Sequence, residues 1–233
     1  MRIRNLSVWR GISPLLGGLL AACLSLAVHA TPKPVVVLDQ EPAVQWTATD
    51  IKGFDSSKIA LDQGLELQRY KTFSVLQPTL EFDKDWLREF KRDMTQRDEE
   101  RIRESYTGAL RKALEDTLSK ELGWQLVEQP AEDTLVVVPT LTRFRITAPD
   151  LSFRGHTRDY VQHSGAARLD LQLRDGSSGA PLVALSDHSE TRAFGGLGDL
   201  KPTNRVENLR DFKMLSKRWA SRLADYLKKQ TQD

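Results

Sequence analysis

The chain has 233 residues, a single cysteine, 34 basic and 32 acidic side chains, and a formal net charge of +2. Three of the bases, Arg2, Arg4 and Arg10, fall in the first thirty residues, which hold no acid, so the remainder carries 31 basic and 32 acidic groups. Such a near-neutral chain has no global attraction for nucleic acid, and a lone Cys23 excludes an internal disulfide or a cysteine-built zinc site.

Residues 1–30 have the layout of a secretory signal peptide: a basic start, then an apolar run from Ile12 to Ala30. The run is roughly as long as the ~20 residues of a membrane span, but Pro14, Gly17 and Gly18 weaken it and small residues crowd its end. Two processing sites overlap. Val28-His29-Ala30 offers slim residues for cleavage after Ala30, which is the expected cut. Leu20-Ala21-Ala22-Cys23 resembles the lipobox of bacterial lipoproteins, which makes Cys23 a candidate for lipidation. The apolar residues after Cys23 depart from the polar segment usual there.

Residues 31–64 read as a lead or tether, punctuated by Pro32, Pro34 and Pro42 and by the turn-rich "TATDIKGFDSSK". A short strand is expected at Val35–Leu38, and one packed domain over 65–233. Its first strand lies in "YKTFSVLQPTLEF", broken at Pro78 or set at an edge because proline cannot donate to a ladder. A short helix follows in "DKDWLREFKRDM", with Trp86, Phe90 and Met94 on one face.

Thr95 and Asp98 have the spacing of a helix cap, and Ile102, Tyr106, Leu110, Leu114 and Leu118 recur at helical period until Gly123. Strands are then expected in "WQLVEQP", "TLVVVPTLTRFRIT", "ARLDLQLRD" and "APLVALSDHSETRAF", the last two forming a hairpin across "DGSSG". Leu169, Leu171 and Leu173 alternate with Arg168, Asp170, Gln172 and Arg174, which predicts one dry and one wet face. A final helix spans about 206–229, its apolar stripe made by Leu209, Phe212, Leu215, Trp219, Leu223 and Tyr226. The expected fold is α+β: an antiparallel or mixed sheet of four to five strands, with two main amphipathic helices packed on one face.

"DTLVVVPTLTRFRITAP", the hairpin "ARLDLQLRDGSSGAPLVALSD" and the helix "FKMLSKRWASRLADYL" resemble an uncharacterised bacterial envelope family, the domain-of-unknown-function 3313 proteins. The resemblance covers roughly residues 65–230. It implies an envelope location, and lipoproteins among its members favour Cys23 as an anchor. It implies no activity and no catalytic residues.

The chemistry-bearing clusters are few. Arg154, His156, Arg158 and His163 share a loop between strands and form the candidate binding set, although two histidines seven apart fit no compact metal spacing. Asp187, His188 and Ser189 are adjacent, but neighbours on a strand point to opposite faces, which opposes a triad. "FGGLGD" at 194–199 lacks the context of a phosphate loop. Lys213, Lys217, Arg218, Trp219 and Arg222 mix bases with an aromatic. Trp219 belongs to the apolar stripe, so the bases are expected as a solvated rim that anionic lipid could use.

The reading that results is an exported, periplasmic or secreted protein, or alternatively an outer-membrane lipoprotein held only through Cys23. It acts as a non-enzymatic module that binds an envelope protein, glycan or anionic lipid. No nucleic acid, cofactor or metal is expected. The alternative is an envelope hydrolase built around Asp187-His188 or His156/His163.

Overall fold

The polar stretch from Trp46 to Ala60 is a β-hairpin within the domain. Its strands are β1 (Trp46–Thr49) and β2 (Ser56–Ala60), paired antiparallel with Trp46 opposite Ala60. Ser57 closes the turn, accepting from the Ile51 amide at 3.0 Å and donating to the Thr49 carbonyl at 2.7 Å, while Ile51 and Phe54 are buried. Gly53, at φ +96°, supplies a left-handed residue that the turn requires. The packed region therefore starts before residue 65, and the expected tether at 31–64 is corrected over this segment.

The computed structural model describes residues 44–60, 66–147, 149, 151, 159–161, 163–192 and 201–232, all within one unit, Val37–Asp233. The strand expected at Val35–Leu38 lies outside the described residues, as do Cys23 and Ala30.

After a short 3-10 turn at Leu67–Arg69 come β3 (Thr72–Val75), β4 (Thr79–Phe82), α1 (Lys84–Phe90) and α2 (Gln96–Leu122). Next are β5 (Gln125–Leu126), β6 (Thr134–Ile146), β7 (Asp159–Val161), β8 (His163–Asp175), β9 (Pro181–Arg192), β10 (Lys201–Thr203) and α3 (Arg205–Gln232). The main sheet runs β1-β2-β9-β8-β6-β3-β5, with β4 also on β6, and β7 pairs with β10 in a separate ribbon. It is an open mixed sheet of eight strands with three helices among the described residues, larger than the four to five strands and two main helices expected. The additional strands are the polar β1 and β2 and the one gained where a single expected strand divides at Pro78; β5 is the short strand expected in "WQLVEQP".

That division has a cause in the partner strand. β3 and β4 both run parallel to β6, Val75 opposite Val137 and Thr79 opposite Thr140. Between those positions β6 carries Pro139, which has no N–H to give, and opposite it the chain leaves the ladder at Gln77 and Pro78.

Helix α2 has the cap its sequence indicates. Thr95 Oγ1 accepts from the Asp98 amide at 3.1 Å, the Asp98 carboxylate accepts from the Thr95 amide at 3.1 Å, and Gly123 ends the helix at φ +68°. For α3 the Asn204 side chain accepts from the amides of Val206 and Glu207 at 2.9 and 3.1 Å.

Both long helices cover the face bearing Leu169, Leu171 and Leu173, all essentially inaccessible. Tyr106, Phe144, Phe212 and Trp219 form a chain of edge-to-face rings joining α2, β6 and α3, with centroids 4.8–6.2 Å apart. Phe82 stacks on Trp86 at 5.2 Å, and the Trp86 indole donates to the Ile146 carbonyl at 2.8 Å, which fastens α1 to the end of β6.

Candidate functional site

Asp187 belongs to the structure of the core. It follows Leu185 on the helix-facing side of β9 and is 5% exposed. Its Oδ2 accepts from the Trp219 indole at 2.6 Å and from the Ser189 hydroxyl at 2.7 Å, and lies 3.3 Å from Arg222 Nη1. The same guanidinium nitrogen donates to the Gly53 carbonyl at 2.9 Å, so one carboxylate ties α3 to β9 and, through Arg222, to the β1–β2 turn. His188 is exposed on the other side, its amide held by Asp55 Oδ2 at 2.7 Å. Asp187 and His188 therefore share no site, and the adjacent Ser189 does not complete a triad with them.

Asp175 closes the β8–β9 hairpin. Its Oδ1 accepts from the amides and hydroxyls of Ser177 and Ser178 at 2.7–3.1 Å. Its Oδ2 accepts from the Tyr70 hydroxyl at 2.8 Å and from Arg69. Burial alone raises its pKa, but the bonds from Ser178, Ser177 and Tyr70 outweigh burial and hold the carboxyl well below its usual range. Burial pushes the Tyr70 hydroxyl up to about 12, against the opposing hydrogen bond from Arg69.

Of the loop set, Arg154, His156 and Arg158 lie outside the described residues, as does 194–199. His163 begins β8 and is exposed, with Nδ1 3.6 Å from Glu190 Oε2; Arg145 reaches Glu190 Oε1 at 3.3 Å. His163 pairs with Arg192 across the sheet, and His188 stands four residues earlier on β9. At strand rise that separation is roughly 13 Å, so the two histidines do not converge. Among the described residues, no group of three or more His, Cys, Asp and Glu is arranged to hold a metal ion.

Two depressions flank α3. One of about 310 Å³ lies between the starts of α2 and α3, lined by Arg101, Tyr106, Arg205 and Asn208. The other, about 840 Å³, lies between the β1–β2 turn and the last turns of α3, lined by Lys52, Gly53, Arg222, Asp225, Tyr226 and Lys229. Tyr226, beside this second cleft, has a buried hydroxyl with no hydrogen-bond partner, and burial pushes its pKa up to about 12. No sequence motif marks the cleft; its only local signals are a Lys-Gly turn and the basic end of the last helix.

The outward face of α3 is basic. Lys213, Lys217 and Arg218 are exposed, whereas Trp219 is fully buried. Among the described residues, no carboxylate pairs with any of these three cations. No described helix is long and apolar enough to cross a membrane.

No protein-family model matches the chain, and no curated protein matches it. Several solved structures are similar at low identity, among them the following three. A PelC dodecamer from Paraburkholderia phytofirmans gives a TM-score of 0.37 at 9% identity, over 68% of this chain and 90% of that one. A neuraminyllactose-binding hemagglutinin homolog from Helicobacter pylori gives 0.35 at 11%, over 73% and 92%. A PDZ domain protein from Parabacteroides distasonis gives 0.33 at 10%, over 69% and 32%.

Proposed function

We propose that the chain is an exported bacterial cell-envelope protein acting as a non-enzymatic binding or accessory module. Export is supported by the basic start at Arg2, Arg4 and Arg10, the apolar run to Ala30, and the resemblance to the domain-of-unknown-function 3313 envelope family. The observation that carries the binding role is the open cleft of about 840 Å³ beside α3, lined by cations, carboxylates and the orphaned Tyr226. Polar groups converging on a concave surface are what a binding site provides. The carboxylates nearest a catalytic pattern, Asp187 and Asp175, are engaged in holding strands and helices together.

Location is tested by intact mass after separating soluble from membrane fractions. A soluble species beginning at Thr31 is expected; an acylated species beginning at Cys23 makes the protein a tethered lipoprotein, and an unprocessed cytoplasmic chain refutes export. The binding role is tested by cross-linking in whole envelopes, comparing wild type with Lys52→Glu and Lys229→Glu, both exposed at the cleft. A cross-linked envelope component lost in the variants is expected. A hydrolytic activity abolished by His188→Ala or His163→Ala overturns the non-enzymatic reading.

A further inference from the structure

Helix α3 presents two sides of different chemistry. The inward side is committed to the core by Phe212, Leu215, Trp219, Leu223 and Leu227, each at most 1% exposed. At 100° per residue, Val206, Arg210, Lys213, Met214, Lys217 and Arg218 all fall within an outward arc of roughly 140°. All six are exposed; the arc also holds Glu207, which pairs with Arg210 at 3.6 Å, and the exposed Asp225 nearer the helix end.

Two features of this arc go beyond an ordinary solvated face. From Phe212 to Ala224 the helix contains Lys213, Lys217, Arg218 and Arg222 and no acid. Only Arg222 is turned inward to Asp187; the other three are without carboxylate partners among the described residues. The arc also carries Val206 at 67% and Met214 at 42% exposure, two of the three exposed large hydrophobics among the described residues. Met214 sits amid Lys213, Lys217 and Arg218. Lys213, Lys217 and Arg218, without carboxylate partners among the described residues, surround the exposed Met214 on a convex helix, and this combination matches an anionic bilayer surface, where phosphates meet the bases and the acyl boundary takes the apolar group. A polynucleotide would use the cations but has no place for Met214 and Val206.

We infer that the outward face of α3, centred on Lys213, Met214, Lys217 and Arg218, is a docking surface for anionic phospholipid membranes. The inference rests on the envelope reading for its biological setting, though its chemistry can be measured independently.

The test uses the chain Thr31–Asp233, which contains the whole unit Val37–Asp233 but lacks the apolar leader and Cys23. It is co-sedimented with vesicles of roughly one-third phosphatidylglycerol in phosphatidylcholine, and with pure phosphatidylcholine, in low salt and in roughly 0.5 M salt. Binding to the anionic vesicles alone, weakened by salt, is expected. Each base near an anionic surface is worth about fivefold in partition, so Lys213→Glu with Lys217→Glu and Arg218→Glu lowers it by about 100-fold or more. Met214→Ser lowers it about fivefold by removing the apolar contact. A control that reverses Lys84, Lys91 and Arg92 changes net charge equally on exposed residues elsewhere and leaves binding unchanged. Circular dichroism confirms that each variant is folded.

Equal binding to both vesicle types overturns the inference, as does no binding, equal loss in the control variant, or equally tight binding to duplex DNA. Failure here with a cross-linked protein or glycan partner in the envelope leaves the proposed function standing. A cytoplasmic, unprocessed chain removes that function whatever the vesicles show.

Discussion

Replacing Asp187 by alanine removes three contacts at once and distinguishes a structural carboxylate from a catalytic one. The Trp219 indole N–H, fully buried, loses its acceptor at 2.6 Å. Leaving such a donor unsatisfied costs about 1–3 kcal/mol. Arg222 loses an ion pair, but its side chain is 38% exposed and still donates to Gly53, so that loss is about 0–1 kcal/mol. The expected total is about 1–4 kcal/mol, whereas Asp187→Asn keeps an acceptor for the indole and costs about 1 kcal/mol. Urea unfolding followed by circular dichroism measures both. Combining Asp187→Ala with Trp219→Phe should show about 1–2 kcal/mol of coupling, because the phenylalanine has no donor to orphan. An Asp187→Ala protein within about 0.5 kcal/mol of wild type would refute the assignment.

Thr95→Ala breaks the reciprocal cap of α2 and should cost about 1 kcal/mol, with faster amide exchange in the first turn of that helix. Gly165→Ala places a methyl 2.5 Å from the Arg145 carbonyl oxygen and should destabilise by about 1–3 kcal/mol; Gly108→Ala meets nothing within 4 Å and should stabilise α2 by about 0.5–1 kcal/mol. Denaturation midpoints that rank the two glycine variants the other way refute the packing described. Asp175 has a folded pKa below its unfolded value, so its contribution is present above about pH 4 and lost as pH falls further. Asp175→Asn should therefore cost about 1.5–3 kcal/mol at neutral pH, and its deficit should shrink in acid; an equal deficit at both pH values contradicts the assignment.

The helices were legible because their instructions are local. Thr95, Asp98 and Gly123 mark the ends of α2, and a four-residue apolar period marks its buried face. The alternation in β8 was equally plain, except that Arg174 is buried and donates to the side-chain oxygen of Gln172 at 2.6 Å. The hairpin at 46–60 was missed because Thr47, Ala48, Ser56 and Lys58 have no apolar alternation. Its strand β2 is held by pairing with β9, which lies more than a hundred residues away in sequence, and β1 pairs in turn with β2. Pro78 announced a break, but that both pieces line one partner depends on Pro139, a long-range coincidence. At the candidate site, the burial of Trp219 followed from its place on a stripe. Its bond to Asp187 did not, since no periodicity links a helix residue to a particular strand carboxylate. The Tyr226 cleft is formed by residues some 170 positions apart and leaves no motif.

The two long helices treat surface charge differently. On α2, Arg103 pairs with Glu99, Arg111 with Glu115 and Lys112 with Asp116, all one turn apart. On α3, Lys213 and Lys217 have the same spacing with like charge, which costs about 0.2–0.5 kcal/mol instead of contributing that much. Nothing in the fold uses this repulsion, because both ammonium groups point away from the core. Lys217→Glu converts it into an attraction and should stabilise the protein by about 0.5–1 kcal/mol while weakening its binding to anionic vesicles. Opposite signs in the two measurements are the mark of a surface kept for a partner at a cost in stability. If Lys217→Glu stabilises the fold and leaves vesicle binding intact, the outward bases of α3 are only a solvated face.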